Sequence, residues 1–215
     1  FTKTNLRVIE ANWEQIKASL SVTVRLISRF GFNAKNVVAP LVLLPIAFYL
    51  MKRGNLAFDT SSNAGDADAQ VSIRKWFVFS TLKNAFGGSS DTTLTRLREL
   101  LNTCDSKTPF PADALYKSLG IEPRLNEAEV TRILGSAYQG RYTNLVLSLL
   151  YPDRDWKDAV FHEDHIFPQS EFQVRTLRRR GYDDSRIQRY LAYFNLLPNL
   201  QLLTESENLA KNATP

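Results

Sequence analysis

The sequence predicts a mainly helical chain that ends in a short strand–strand–helix segment. Apolar residues recur at helical spacing through most of the first 150 positions. The most apolar run, Val37–Met51, is shorter than the roughly 20 residues that a bilayer span needs, so it predicts a buried core helix. After residue 150 the pattern changes to aromatic and β-branched residues mixed with polar ones, which is typical of short strands.

Composition fits a globular domain with a real core. The chain has 215 residues, of which 44% are hydrophobic and 23% charged, and its net charge is +5. This excess of positive charge favours a polyanionic partner only mildly. The single cysteine, Cys104, leaves no disulfide framework or thiolate zinc site, so we expect a reducing, cytoplasmic setting. We expect no membrane partner, because the most apolar run is too short to span a bilayer. Because the chain starts at Phe1 without a methionine, we also expect a C-terminal fragment of a longer protein.

The helical region begins with an amphipathic pattern. One face of a helix over Asn5–Leu20 carries five apolar residues, Leu6, Ile9, Trp13, Ile16 and Leu20. Residues 22–32 predict a second short helix that ends near Gly31. The polar and small residues of Asn55–Ala69 predict a loop.

The next helices follow the same spacing. Val71–Phe86 is apolar at helical intervals, and Gly87–Asp91 breaks it before a leucine-rich helix. Asn126 followed by Glu129 predicts a capping box. Tyr142–Tyr151 predicts the last core helix, so we place the boundary of the helical region near residue 150 and a second module over residues 151–215.

The second module predicts a strand, an insert, a strand and a helix. Ala159–Phe167 has strand composition, and Pro168 ends it. Val174–Phe194 predicts a basic helix. Residues 200–203 predict the second strand, and Thr204 is a suitable N-cap for the final helix.

The candidate chemistry lies where the first of these strands ends. Asp164 offers a hard oxygen ligand, and His165 a base that titrates near neutrality. Neighbours on a regular strand point to opposite faces, so the pair converges only if the strand ends or curls there. A second cluster supplies Asn199, which can brace the loop that holds His165, and Asn208, whose carbonyl oxygen can bind a metal.

Two segments resemble HNH, or ββα-metal, nucleases. "DHIFPQS", followed by two asparagines nine positions apart, is similar to the HNH domain of RNA-guided CRISPR nucleases. The wider context resembles the C-terminal region of GmrSD-type restriction endonucleases, which have "HI.P" and then "NL.LL....N..K". The specific match covers Phe161–Ser170 and Pro198–Asn212.

The resemblance implies a ββα-metal module and a role for each matched residue. His165 would be the general base that deprotonates a water molecule. Asp164 and Asn208 would hold one Mg²⁺ or Mn²⁺ ion, which polarises the scissile phosphate and stabilises the leaving 3′ oxygen. Asn199 would fix the His165 loop by hydrogen bonds, and Lys211 would contact phosphate.

Further residues are candidates for DNA contact. Four arginines cluster in the basic helix: Arg175, Arg178, Arg179 and Arg180. The simpler interpretation of such a run is a solvated helix face. We expect His162 on the same strand face as His165, where it would contact substrate or act as a second ligand. Three aspartates, Asp153, Asp155 and Asp158, are more simply a solvated linker than a metal site.

The function implied by the resemblance is a metal-dependent DNA endonuclease. It would nick or cut DNA as the effector of an anti-phage restriction system, with modified phage DNA as substrate. The family also implies an upstream domain that hydrolyses nucleotides and senses DNA modification. Two alternatives stay open: a catalytically inactive DNA-binding module with an HNH-like fold, and a helical interaction domain in which "DHIFP" is accidental.

Overall fold

The computed structural model describes residues 2–34, 37–105, 109–151 and 161–212. The chain divides into two compact units, Phe1–Arg124 and Leu125–Pro215. This division lies earlier than the boundary that the sequence pattern predicts near residue 150. The three aspartates of the expected linker, Asp153, Asp155 and Asp158, lie outside the described residues.

The first unit is helical, as predicted. Its helices are α1 (Lys3–Ala11), α2 (Trp13–Arg29), α3 (Leu43–Arg53), α4 (Ala64–Leu82), α5 (Ser90–Thr103) and α6 (Ala112–Leu119), with short 3₁₀ turns at Pro40–Val42 and Phe58–Thr60. α3 packs against α2 and α5, and α6 packs against α4 and α5. Trp76 and Phe77 of α4 are fully buried in the core of this unit. No helix among the described residues combines the length and apolar character that a bilayer crossing requires.

The amphipathic face at the start of the chain is not a core face. The predicted helix over residues 5–20 breaks at Asn12, whose φ and ψ are −106° and 9°. Leu6 and Trp13 stay more than half exposed. The buried side of α2 carries Val22 and Leu26 instead. Helical spacing therefore identified an apolar stripe correctly, but it did not determine which stripe of the helix the core covers.

The predicted loop over Asn55–Ala69 is wrong in its second half. α4 begins at Ala64, because the Asn63 side chain accepts a hydrogen bond from the Asp66 backbone N–H at 2.8 Å and caps the helix. The Asp66 side chain is 2% exposed and forms an ion pair with Arg53 of α3. A local cap therefore starts this helix, and the pair with Arg53 holds the buried Asp66 of its first turn.

Among its described residues, the second unit contains two strands and five α-helices. The elements are α7 (Glu127–Leu134), α8 (Thr143–Leu149), β1 (Phe161–His165), α9 (Val174–Arg179), α10 (Asp184–Tyr193), β2 (Leu200–Thr204) and α11 (Glu205–Lys211). The predicted capping box at Asn126 is present, and Thr204 caps α11 with a second one. The single basic helix predicted over 174–194 is in fact two helices, since Gly181 adopts a φ of 82° between them.

The two strands pair antiparallel and carry the candidate residues. Asp164 lies opposite Gln201, and His165 lies opposite Leu200. α11 packs against both strands, and α8 packs against β2.

An isolated bridge extends this pairing with a third segment. Ala137, between α7 and α8, bridges to Leu196 in antiparallel fashion. The Tyr138 N–H donates to the Asn195 carbonyl at 2.8 Å, and the Leu197 N–H donates to the Ser136 carbonyl at 2.8 Å. These backbone bonds fix the positions of Tyr138 and Asn195.

Candidate active site

His165 is the last residue of β1 and is held in one orientation. Its Nε2 lies 2.9 Å from Asn195 Oδ1. An amide oxygen only accepts, so Nε2 carries the hydrogen and, in the neutral ring, Nδ1 carries the lone pair. The imidazole contacts the Tyr138 ring at a centroid distance of 4.8 Å and stacks with Phe194 at 6.2 Å. The hydrogen bond to Asn195 and the two ring contacts therefore fix the orientation of the His165 imidazole.

Asn195 is a site residue that sequence reasoning missed. It is neither of the two asparagines of the motif. Its side chain contacts the ring of His165, which is buried and only 8% exposed. A signal was available in the sequence, because Asn195 is a polar residue between Phe194 and the apolar pair Leu196–Leu197. A polar side chain in such surroundings needs a hydrogen-bond partner.

Asp164 does not converge with His165 at the end of the strand. β1 remains regular through His165, so the two side chains lie on opposite faces. The Gln201 amide donates to Asp164 Oδ2 at 3.2 Å, and the Lys211 ammonium lies 3.0 Å from the same oxygen. Lys211 also donates to the His165 backbone carbonyl at 2.8 Å. Lys211 is thus the side chain that links the two positions.

Asn199 braces the segment that follows β1. Its Oδ1 accepts from the Phe167 N–H at 2.9 Å, and its Nδ2 donates to the carbonyls of Phe167 at 3.1 Å and Phe194 at 2.7 Å. The Ile166 N–H donates to the Asn199 carbonyl at 2.8 Å. These are the bonds expected of a residue that positions the His165 loop.

Asn208 has an amide oxygen available for a ligand. It lies three residues before Lys211 in α11, and residues at this spacing share a helix face. Its side chain makes no hydrogen bond to any described residue, whereas Lys211 on that face reaches Asp164. The oxygens of Asp164 and Asn208 are the ligand type that Mg²⁺ prefers.

Water would have to complete the coordination of such an ion. Within the described parts of the chain, no group of three or more His, Cys, Asp or Glu residues is arranged to hold a metal. Mg²⁺ usually keeps several waters and binds through one or two carboxylates, so one carboxylate and one amide oxygen are donors of a suitable type. The donor set is therefore compatible with Mg²⁺ or Mn²⁺.

The expectation that His162 shares a face with His165 is wrong. The two residues are three positions apart in β1, and an odd separation places them on opposite faces. His162 is accordingly exposed and His165 buried.

Glu163 lies on the His165 face of β1. One of its carboxylate oxygens accepts from the Gln139 backbone N–H at 2.7 Å. Burial raises the pKa of Glu163, and this hydrogen bond offsets the effect only in part. Glu163 therefore adds a second ionisable group to the face of β1 that carries His165.

The four predicted DNA-contacting arginines are all exposed, and they differ in their partners. Arg178 pairs with Asp184 at 3.2 Å, and Arg180 pairs with Glu171. Arg175 and Arg179 make no ion pair with a described residue. Exposed pairs of this kind contribute little to stability, so the cluster stays available for a polyanion.

Comparison with known proteins identifies no relative of this chain. No family model matches the chain, and no curated protein matches it.

Proposed function

We propose that the second unit is an HNH-type, ββα-metal module that hydrolyses phosphodiester bonds in DNA. The observation that carries the proposal is the His165–Asn195 hydrogen bond, since an Nε2–H donated to the Asn195 amide oxygen would leave Nδ1 to accept a proton. The order β1, β2, α11 and the polar residues at the strand ends support the same interpretation.

His165 is the general base of the proposed reaction. Its Nδ1 takes a proton from the attacking water, and the Nε2–H bond to Asn195 stabilises the imidazolium that forms. Asn199 holds the backbone after His165 in place, which keeps the base at a fixed position.

Asp164 and Asn208 are the proposed metal ligands. A bound Mg²⁺ or Mn²⁺ ion supplies positive charge where negative charge develops on the phosphate and on the leaving 3′ oxygen. Lys211 lies on the same face of α11 as Asn208, so it belongs to the same part of the proposed site.

DNA is the proposed substrate, held by the exposed arginines. Arg175 and Arg179, together with the paired Arg178 and Arg180, supply clustered positive charge for the phosphate backbone. His162, exposed on β1, is a further candidate contact. The motif similarity also supports a role as effector of an anti-phage restriction system that acts on modified phage DNA, with an upstream NTPase and sensing domain.

A catalytically inactive DNA-binding module is the second candidate. Three observations favour it: Asp164 and His165 lie on opposite faces of β1, the carboxylate of Asp164 forms an ion pair with Lys211, and His165 is 8% exposed. In this case the arginine cluster binds DNA and no phosphodiester bond is cut.

Relaxation of a supercoiled plasmid by the 215-residue chain tests the proposal. Wild type with Mg²⁺ or Mn²⁺ is compared with an EDTA sample, with His165→Ala, and with Gln188→Ala at an exposed position of α10 as a matched control. We expect wild type and Gln188→Ala to nick or linearise the plasmid and His165→Ala to lose this activity while it retains DNA affinity. Equal cutting by His165→Ala would refute the assigned base. Salt-sensitive binding without any cutting would favour the inactive module.

A further inference from the structure

The Asp164–Lys211 contact places a positive charge against the proposed metal ligand. The ammonium lies 3.0 Å from Asp164 Oδ2 and 2.8 Å from the His165 carbonyl oxygen. The two side chains are only 21% and 13% exposed, so the pair is largely shielded from water. Gln201 donates to the same Asp164 oxygen, which completes the hydrogen bonding of that atom.

We propose that Lys211 is an internal counter-ion of the metal site, and that it must leave Asp164 before a divalent cation can bind there. The proposal rests on the function proposed above and concerns the regulation of the same site. It assigns Lys211 two successive partners: Asp164 when the metal is absent, and phosphate when the metal is bound.

Electrostatics favours the exchange. An ammonium on Oδ2 and a divalent cation on either oxygen of the same shielded carboxylate repel each other strongly, so metal binding drives Lys211 away from Asp164. Without Lys211, the metal-free protein would keep a shielded carboxylate with no cationic partner, which is costly. The same lysine therefore stabilises the metal-free state and competes with the metal.

The structure of the side chain permits the movement. Lysine carries a compact charge on a flexible four-carbon stem with rotatable donors. Lys211 stands in the last turn of α11, three residues after Asn208, so its ammonium stays close to the proposed ligands after it leaves Asp164. There it can contact a phosphate oxygen, and metal binding thereby delivers a cationic contact for the DNA.

Binding of Mn²⁺ alone tests the proposal without any cleavage assay. The free Mn²⁺ signal in electron paramagnetic resonance is titrated with wild type, Lys211→Met, Asp164→Asn and Arg189→Met. Arg189 is an exposed residue of α10, so this control removes one positive charge from the same unit away from Asp164. We expect Lys211→Met to bind Mn²⁺ about tenfold or more tightly than wild type. Arg189→Met should match wild type, and Asp164→Asn should lose binding.

Lys211→Met should strengthen Mn²⁺ binding but destabilise the metal-free protein, and thermal unfolding in EDTA measures the second effect. Lys211→Met should unfold at a lower temperature than wild type when metal is absent, and Mn²⁺ should raise its unfolding temperature by more. Lys211→Gln keeps a hydrogen-bond donor without the charge, so it provides a second neutral variant if Lys211→Met folds poorly.

The outcomes separate this inference from the proposed function. If wild type binds Mn²⁺ through Asp164 and neither neutral variant binds it more tightly, the counter-ion role is refuted and the metal site stands. If neither wild type nor the variants show binding that depends on Asp164, both the counter-ion role and the metal-dependent function are refuted.

Discussion

The Asn199→Ala substitution tests whether Asn199 positions the backbone after His165 or binds the metal. The Asn199 side chain makes three hydrogen bonds, two to the backbone of Phe167 and one to the carbonyl of Phe194. Each such bond contributes about 1 kcal/mol net, and two of the three lie at exposed positions. We therefore expect Asn199→Ala to lower the free energy of unfolding of the second unit by about 1–3 kcal/mol.

Hydrogen exchange gives the most direct measurement. The Phe167 N–H donates to Asn199 Oδ1, so a peptide covering residues 161–172 should exchange faster in Asn199→Ala. Cleavage should fall because the segment after His165 loses its brace. Mn²⁺ affinity should stay near the wild-type value, since Asp164 and Asn208 are unchanged.

A matched control is Asn102→Ala, at an exposed asparagine of the first unit. It should leave both the exchange of residues 161–172 and the unfolding of the second unit unchanged. A large loss of Mn²⁺ affinity in Asn199→Ala, with unchanged exchange of that peptide, would refute the positioning role and make Asn199 a ligand.

Three further substitutions test the electrostatics of both units. Burial raises the pKa of Asp66, but hydrogen bonds from Ser61, Arg53 and Asn63 together outweigh it and the pKa lies below its ordinary value. Asp66 thus stabilises the fold at neutral pH and loses this contribution as the pH falls below about 4, so Asp66→Asn should flatten the acid side of a stability–pH curve measured by urea unfolding. The raised pKa of Glu163 has the opposite sign: the ionised form costs stability at neutral and higher pH. Glu163→Gln should therefore raise the unfolding temperature at pH 8 relative to wild type, with no gain at pH 4. Lys52 donates to the carbonyls of Leu101, Asn102 and Cys104 at the end of α5, at 2.7, 3.1 and 2.8 Å, so Lys52→Met should cost about 1–3 kcal/mol in urea unfolding.

Local chemistry accounts for the elements that sequence reasoning placed correctly. Capping boxes act within four residues, so those at Asn126 and Thr204 can be identified from their own side chains. The strand before Pro168 likewise follows from composition and a single breaker. These features need no knowledge of the rest of the chain.

Long-range partners account for the errors. α4 starts seven residues before the predicted helix, at the Asn63 cap, and the buried Asp66 of its first turn pairs with Arg53 of another helix, a partner that no local pattern contains. The start of the chain is a second example. The spacing of apolar residues does not show which face of α2 the rest of the unit covers, and the covered face is the one that carries Val22. Asn195 was missed because its hydrogen-bond partner, His165, is thirty positions earlier in the chain.

The face of β1 on which His162 lies determines what this residue can contact. Positions 162 and 164 differ by two, so His162 shares a face of β1 with Asp164, whereas His165 lies on the other face. The proposed metal ligand and the exposed histidine are thus on one side of the strand, and the proposed base is on the other. His162→Ala should accordingly change Mn²⁺ or DNA affinity, measured by titration, and leave the pH dependence of the cleavage step unchanged. A shift in that pH profile with unchanged affinities would mean that His162, and not His165, supplies the base.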